Sequence, residues 1–178
     1  MPASRKAREW KEDYTAESKM KGLGVKYTIV DKVHIAEIDL ERSRRNNARL
    51  LDRYDEDLVG EYAEAMSTGD KFPMTILVKM SNGKYLTLSG NHRLGAADDL
   101  GDKTVRAYVV SKWDEQTNEL IARSANRWMG KRQEKEETLQ HALHMMNTYK
   151  MKVAEIAKLF SVTPAWLQAA IRTQGIKD

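Results

Sequence analysis

The chain has 178 residues, 41% hydrophobic and 31% charged, with 30 basic against 26 acidic side chains and a net charge of +4. It contains no cysteine, which excludes a disulfide framework, a thiolate metal site and a cysteine nucleophile. No apolar run approaches the ~20 residues that span a bilayer, and the charged stretch from Met1 to Met20 lacks the apolar core of a secretion signal, so the reading is a cytoplasmic, mildly basic chain without a membrane partner.

Residues 1–24 mix both signs of charge and close on Gly22-Leu23-Gly24, the pattern of a flexible charged arm. Val25 to Val30 alternates and is β-rich, predicting a strand, and Val33 to Ile38 is a second short alternating segment. From Arg42 to Arg53 the chain carries Arg42, Arg44, Arg45, Arg49 and Arg53 against one acid, Asp52. That cluster reads equally as a solvated surface and as a set of phosphate contacts. Leu58, Val59, Tyr62, Ala63 and Met66 recur at helical spacing, and Gly69 marks the stop. Phe72 to Val78 is extended and runs into Ser81-Asn82-Gly83, a hairpin turn, before the strand Tyr85 to Leu88. Leu94 to Leu100 reads as a helix and Val105 to Val110 as a strand. Elements 25–112 therefore predict one compact α+β domain with a small mixed sheet. From Asp114 the β signal ends, and residues 113–178 read as all-helical: Glu115 to Trp128, then Leu139, Ala142, Leu143 and Met146 on one stripe. His141 and His144, three apart on that helix, have no evident third ligand and read as ordinary helix residues rather than a metal site.

The stretch Leu88-Ser89-Gly90-Asn91-His92-Arg93-Leu94-Gly95-Ala96-Ala97 carries the most chemistry. A strand that turns into a helix at a glycine points backbone N–H groups outward, and the helix dipole favours an anion there. Arg93 adds a planar fork suited to phosphate oxygens. An imidazole ordinarily titrates near neutrality, which makes His92 the candidate for acid–base catalysis, set against a role as a hydrogen-bonding or turn-stabilising residue.

The tail from Lys152 to Arg172 has the shape of a helix-turn-helix. Ala157 is small where two helices would cross, and Ile156, Phe160, Val162, Leu167 and Ala170 or Ile171 would share a core. Thr163 is a good N-cap and Pro164 suits the first helical position. The second helix would present Thr163, Ala165, Gln168, Ala169 and Arg172 to a major groove, with Gln168 able to read an adenine edge. Ser161 stands where this turn usually has glycine, and the face carries few charges. The competing reading is a hairpin used for packing or for a protein partner.

Taken together, these parts resemble the ParB family: a ParB/sulfiredoxin-like domain followed by a helix-turn-helix, over roughly residues 25–175. Asn47-Ala48-Arg49 through Glu61, Met66, Gly69 and Pro73 resembles the family's first box, Gly90-Asn91-His92-Arg93 with Ala96-Ala97 its second, and Ala122 to Gly130 its third. The resemblance implies a pocket for CTP, or another nucleoside triphosphate, with Mg2+. Gly90, Asn91, His92 and Arg93 would hold the phosphates, Arg49 would approach the nucleotide or DNA, and Asn126 would contact the nucleotide and the metal. Arg123 and Arg127 are nearby basic candidates. It also implies a nucleoid-associated regulator or a partition-like role on a plasmid, phage or chromosome, with DNA as partner, a second copy of the chain as a candidate partner, and weak CTPase activity as a candidate reaction.

Two departures qualify this. Ala125 stands where many members place a glutamate before the asparagine, which weakens a hard-cation site, and with the chain running to Asp178 soon after the helix-turn-helix the expectation is of no separate dimerisation domain. Sulfiredoxin chemistry needs a cysteine where Asn91 stands. The alternative from the same resemblance is a metal-dependent nuclease or phosphotransferase using His92, Arg93 and Asp98 or Asp99.

Overall fold

The computed structural model describes residues 7–45, 54–111, 114–128 and 135–177. In chain order these form β1 (Trp10–Lys11), α1 (Tyr14–Gly22), β2 (Tyr27–His34), a 3-10 turn (Ile35–Glu37), α2 (Leu40–Arg45), α3 (Glu56–Ser67), β3 (Phe72–Pro73), β4 (Thr75–Lys79), β5 (Tyr85–Ser89), α4 (Asn91–Asp99), β6 (Thr104–Val110), α5 (Glu115–Trp128), α6 (Lys135–Tyr149), α7 (Val153–Phe160) and α8 (Pro164–Lys177). The fold is α+β, as expected: a small mixed sheet followed by a helical part.

The sheet runs β2-β6-β4-β5. β2 and β6 are antiparallel, β6 and β4 parallel, β4 and β5 antiparallel. β4 is buried from Thr75 to Val78, which explains its unbroken apolar run: a strand covered on both faces shows no alternation. The β4–β5 hairpin closes through the predicted turn. Gly83 adopts φ +84°, and Asn82 Oδ1 accepts the Lys84 N–H at 2.9 Å, an Asx turn. α3 starts where Asp55 caps it, its carboxylate accepting the N–H of Asp57 at 2.9 Å, and it ends before Gly69 at φ +101°.

The N-terminal segment departs from its expected looseness. Residues 7–24 are built into the domain, and 1–6 lie outside the described residues. β1 pairs in parallel with β3. Trp10, Ala16 and Met20 are buried, and the Tyr108 hydroxyl accepts the Asp13 N–H at 2.8 Å. Arg8 bridges Asp102 at 2.7 Å and donates to the Met66 carbonyl at 2.9 Å. The physical reason is that Trp10 on β1 and Ala16 and Met20 on α1 anchor the segment by burial, while Lys11, Glu12 and Lys21 stay exposed.

α5 lies against β5 and α1 as well as α6 and α7, so the helical part begins with an element that also covers the sheet. α7 ends in a Schellman arrangement: Ser161 takes φ +56°, its N–H reaches Lys158 O at 3.3 Å, and the Val162 N–H reaches Ala157 O at 3.0 Å. Thr163 Oγ1 then accepts the Trp166 N–H at 3.1 Å, capping α8 at Pro164. Ile156, Ala157, Phe160 and Leu167 are buried between the two helices. No described helix is long and apolar enough to cross a membrane.

Candidate functional site

The β5–α4 turn is held from every side. Gly90 adopts φ +111°, and a Cβ there would sit 2.4 Å from Thr75 Cγ2. Only glycine tolerates both conditions. No side chain caps α4.

The three side chains that follow point into the protein frame. Asn91 Nδ2 donates to the Ser43 carbonyl at 3.2 Å. His92 is buried, and its Nε2 accepts the Asp55 N–H at 3.0 Å. That bond leaves the Nε2 lone pair occupied and places the ring proton of the neutral form on Nδ1. The imidazole lies parallel to Tyr54, at 5.4 Å between centroids and 3° between planes. Arg93, 8% exposed, donates through Nη1 to the carbonyls of Pro73 and Met74, and its Nη2 lies 3.4 Å from Ser89 Oγ. The guanidinium expected on phosphate is thus bound by carbonyls that need its charge-assisted hydrogen bonds. Asp98 and Asp99 are exposed at the far end of α4, about 10 Å along the axis from His92 at 1.5 Å per residue, so the histidine–arginine–acid constellation of the nuclease alternative is not assembled.

Around this turn, buried polar atoms lack partners. Of eight such side-chain atoms among the described residues, four are Arg44 Nε, Thr75 Oγ1, Thr87 Oγ1 and Asn91 Oδ1. Thr75 abuts Gly90. Thr87 and Asn91 both bond to Ser43, Thr87 through its N–H to Ser43 Oγ at 3.0 Å. Arg44 stacks its guanidinium 4.1 Å from the Tyr54 ring centroid. Buried polar groups ordinarily find partners; the three that can donate, Arg44 Nε and the Thr75 and Thr87 hydroxyls, fit an anionic ligand such as a polyphosphate, whereas Asn91 Oδ1 can only accept. Sequence reasoning counted Arg44 only within a basic cluster and passed over Tyr54; an aromatic residue directly before the helix-capping Asp55 was the available signal.

Residues 122–128 of the third box sit on α5, and 129 and 130 lie outside the described residues. Arg49 lies outside the described residues, as do the side chains of Asn126 and Arg127. Arg123 faces α6 rather than the turn: it bonds Glu119 through Nε at 3.0 Å and through Nη2 at 2.9 Å, and its Nη1 approaches His141 Nδ1 at 2.8 Å. His144 Nε2 lies 2.6 Å from Glu119 Oε1, and the Tyr149 hydroxyl donates to Glu119 Oε2. Burial raises the Glu119 carboxyl, but hydrogen bonds from Tyr149 and Arg123 and the charges of Arg123 and His144 outweigh it and hold the group below its ordinary value. Burial, then the Glu119 hydrogen bond and charge, push Tyr149 up to about 12. His141 and His144 turn to different partners and share no site. Ala125 is fully buried, and no group of three or more potential metal-ligating side chains occurs among the described residues.

The five side chains expected on the outer face of α8, Thr163, Ala165, Gln168, Ala169 and Arg172, are all exposed.

The family model described as the ParB N-terminal domain matches residues 26–126. Among solved structures, the chain is similar to the C-terminally truncated chromosome-partitioning protein ParB from Caulobacter crescentus complexed to the centromeric parS site, at 17% identity over 78% of this chain and 68% of that one, with a TM-score of 0.58. It is also similar to that ParB complexed with CTP-gamma-S, at 18% identity, 80% and 74% coverage and a TM-score of 0.44, and to sulfiredoxin from Arabidopsis thaliana, at 26% identity, 51% and 91% coverage and a TM-score of 0.36. The first likeness shows the fold alone, and the other two superpose too loosely to argue from. No curated protein matches the chain.

Proposed function

The chain belongs to the ParB N-terminal domain family, and from that premise we propose that it is a DNA-binding protein of partition or regulatory type whose N-terminal domain binds a nucleoside triphosphate, CTP in the first instance, and whose α7–α8 pair contacts DNA as a helix-turn-helix. The observation that carries the nucleotide half is the set of unpartnered buried donors around the β5–α4 turn, Arg44 Nε and the Thr75 and Thr87 hydroxyls. Membership of the family and the exposed outer face of α8 support the DNA half. The Caulobacter relative complexed to parS gives the precedent for such a fold on DNA.

Asn91, His92 and Arg93 would serve the nucleotide by holding the walls of the turn together. Magnesium would arrive with the triphosphate, no group of three or more potential metal-ligating side chains occurring among the described residues. Binding would act on DNA affinity by population shift. α5 touches β5, which leads into the turn, and also α7, so a ligand that favours one setting of the turn biases the helices behind it. Neither the cytoplasmic, nucleoid-associated location nor a homodimer depends on this step.

A thermal-shift screen against the four ribonucleoside triphosphates with magnesium tests the reading. One ligand, at 100-fold over its Kd, should stabilise the protein by about 2.7 kcal/mol, and DNA retention in a gel should weaken as salt rises. A flat response to all four nucleotides together with no retention of DNA overturns it.

A further inference from the structure

We propose that Arg44 supplies the guanidinium that grips the polyphosphate and that Tyr54 is the platform that aims it; this rests on the nucleotide reading above. Arg93 is already committed, with its N–H groups on the Pro73 and Met74 carbonyls and near Ser89 Oγ. A ligand recruiting it would have to break bonds that hold β3 and the Met74 link to α4. Arg44 is differently placed. Its neighbour Ser43 accepts Asn91 Nδ2 on its carbonyl and the Thr87 N–H on its hydroxyl, so this turn of α2 is fixed against the phosphate turn by one hydrogen bond and against β5 by another. The Arg44 guanidinium stacks on the Tyr54 ring at 4.1 Å. Stacking occupies the face of the cation and leaves its N–H edge for a planar acceptor. Its Nε is buried with no partner, a desolvated donor that an anionic oxygen would satisfy.

Tyr54 is itself held in place. His92 lies parallel to it and accepts the N–H of the next residue, Asp55. At Gly95 a Cβ would fall 2.3 Å from the Tyr54 hydroxyl oxygen, so the glycine in the middle of α4 clears room for the ring. His92 and Gly95 are then positioning residues, and Arg44 touches the ligand.

Calorimetry on the full chain with CTP and with inorganic triphosphate tests this, each variant paired with its melting temperature. Arg44→Gln is expected to raise both Kd values about 30-fold, the loss of charge-assisted hydrogen bonds, with the melting temperature within about 2 °C. Arg44→Lys, which keeps the charge but loses the fork and the stack, should cost about 10-fold, and it decides the matter if Arg44→Gln fails to fold. Tyr54→Phe should bind like wild type, whereas Tyr54→Leu should lose about 10-fold. Wild-type affinity in both Arg44 variants overturns the proposal while the nucleotide reading stands. Equal binding by the Phe and Leu variants overturns the platform. A wild-type chain that binds neither ligand overturns the nucleotide reading and this proposal with it.

Discussion

Arg123 Nη1 and His141 Nδ1 meet at 2.8 Å between α5 and α6. An arginine can only donate, so the histidine must accept at Nδ1 and carry its proton on Nε2, 3.4 Å from Glu137 Oε1. The other face of the contact is apolar: the His141 ring lies 6.0 Å from Phe160 of α7, at 13° to it. The helix that bears the third box is thereby joined to the core of the α7–α8 pair through one imidazole.

Removing either partner should leave the other short of a buried hydrogen bond. Arg123→Met takes the guanidinium from Glu119 and leaves His141 Nδ1 without its donor, and about 3 kcal/mol of stability should be lost. His141→Leu should cost about 2 kcal/mol. The double variant should lose less than the sum, because the two side chains satisfy each other. Urea denaturation of all four proteins measures the cycle; strictly additive losses would show that the pair is not coupled.

The turn glycine makes a separate demand. Gly90→Ala must place a Cβ at φ +111° and 2.4 Å from Thr75 Cγ2, with Thr75 fully buried and unable to move aside. A loss of about 3 kcal/mol is expected. Adding Thr75→Ser should recover part of it by removing the methyl, leaving the backbone strain. A Gly90→Ala protein as stable as wild type would contradict the left-handed turn.

How much of this was written in the sequence depends on the kind of information involved. The hairpin at Asn82-Gly83, the α3 stop at Gly69, the glycine turn at Gly90 and the Thr163-Pro164 start of α8 are local, and each shows in two or three residue types. The direction of a side chain is not local. Nothing near Arg93 reveals that the carbonyls of Pro73 and Met74, twenty residues back, will claim it. Arg123 and Glu119 are four apart and legible as a helical pair, whereas His141 becomes the third member only once α6 folds back. The buried N-terminal segment was hidden by composition: Trp10, Ala16 and Met20 sit among charges that dominate any average over the window.

Ser161 tests the α7 cap. It holds φ +56° and makes both Schellman hydrogen bonds, a conformation that costs a residue with a Cβ about 1 kcal/mol. Ser161→Gly should therefore raise stability by about that amount, read as a higher urea midpoint with an unchanged slope. A lower midpoint would mean that the serine side chain has a role that the cap geometry does not explain.

The Tyr149–Glu119 bond predicts two pH limbs. Tyr149 is raised from 10 to about 12 in the fold, so its contribution is complete below pH 10 and is lost as pH rises towards 12. Glu119 is lowered from 4.5, so its contribution is complete above that value and is lost as pH falls through the folded value. Stability measured against pH should show both limbs in wild type. Tyr149→Phe should flatten the alkaline limb relative to wild type, a difference that cancels the parallel contribution of Tyr108, which burial also raises. Glu119→Gln should flatten the acid limb. A Tyr149→Phe profile that overlays wild type above pH 10 would remove this hydrogen bond as the cause.

The outer face of α8 decides whether the tail reads DNA. Gln168 and Arg172 are exposed one turn apart, so a groove-bound helix would present both. The Thr163 hydroxyl oxygen, by contrast, already accepts the Trp166 N–H, which leaves it less available to a base. Gln168→Ala should cost about 1–3 kcal/mol on the preferred site and little on random DNA, because an amide reads a base edge. Arg172→Ala should weaken both and reduce the salt slope by about one, the mark of a lost phosphate contact. Both variants should keep wild-type CTP affinity, since the phosphate turn lies on another element. Fluorescence titrations over a salt series separate these outcomes. If the two variants retain wild-type affinity, slope and preference, the DNA contact lies on a different surface and α7–α8 is a packing hairpin.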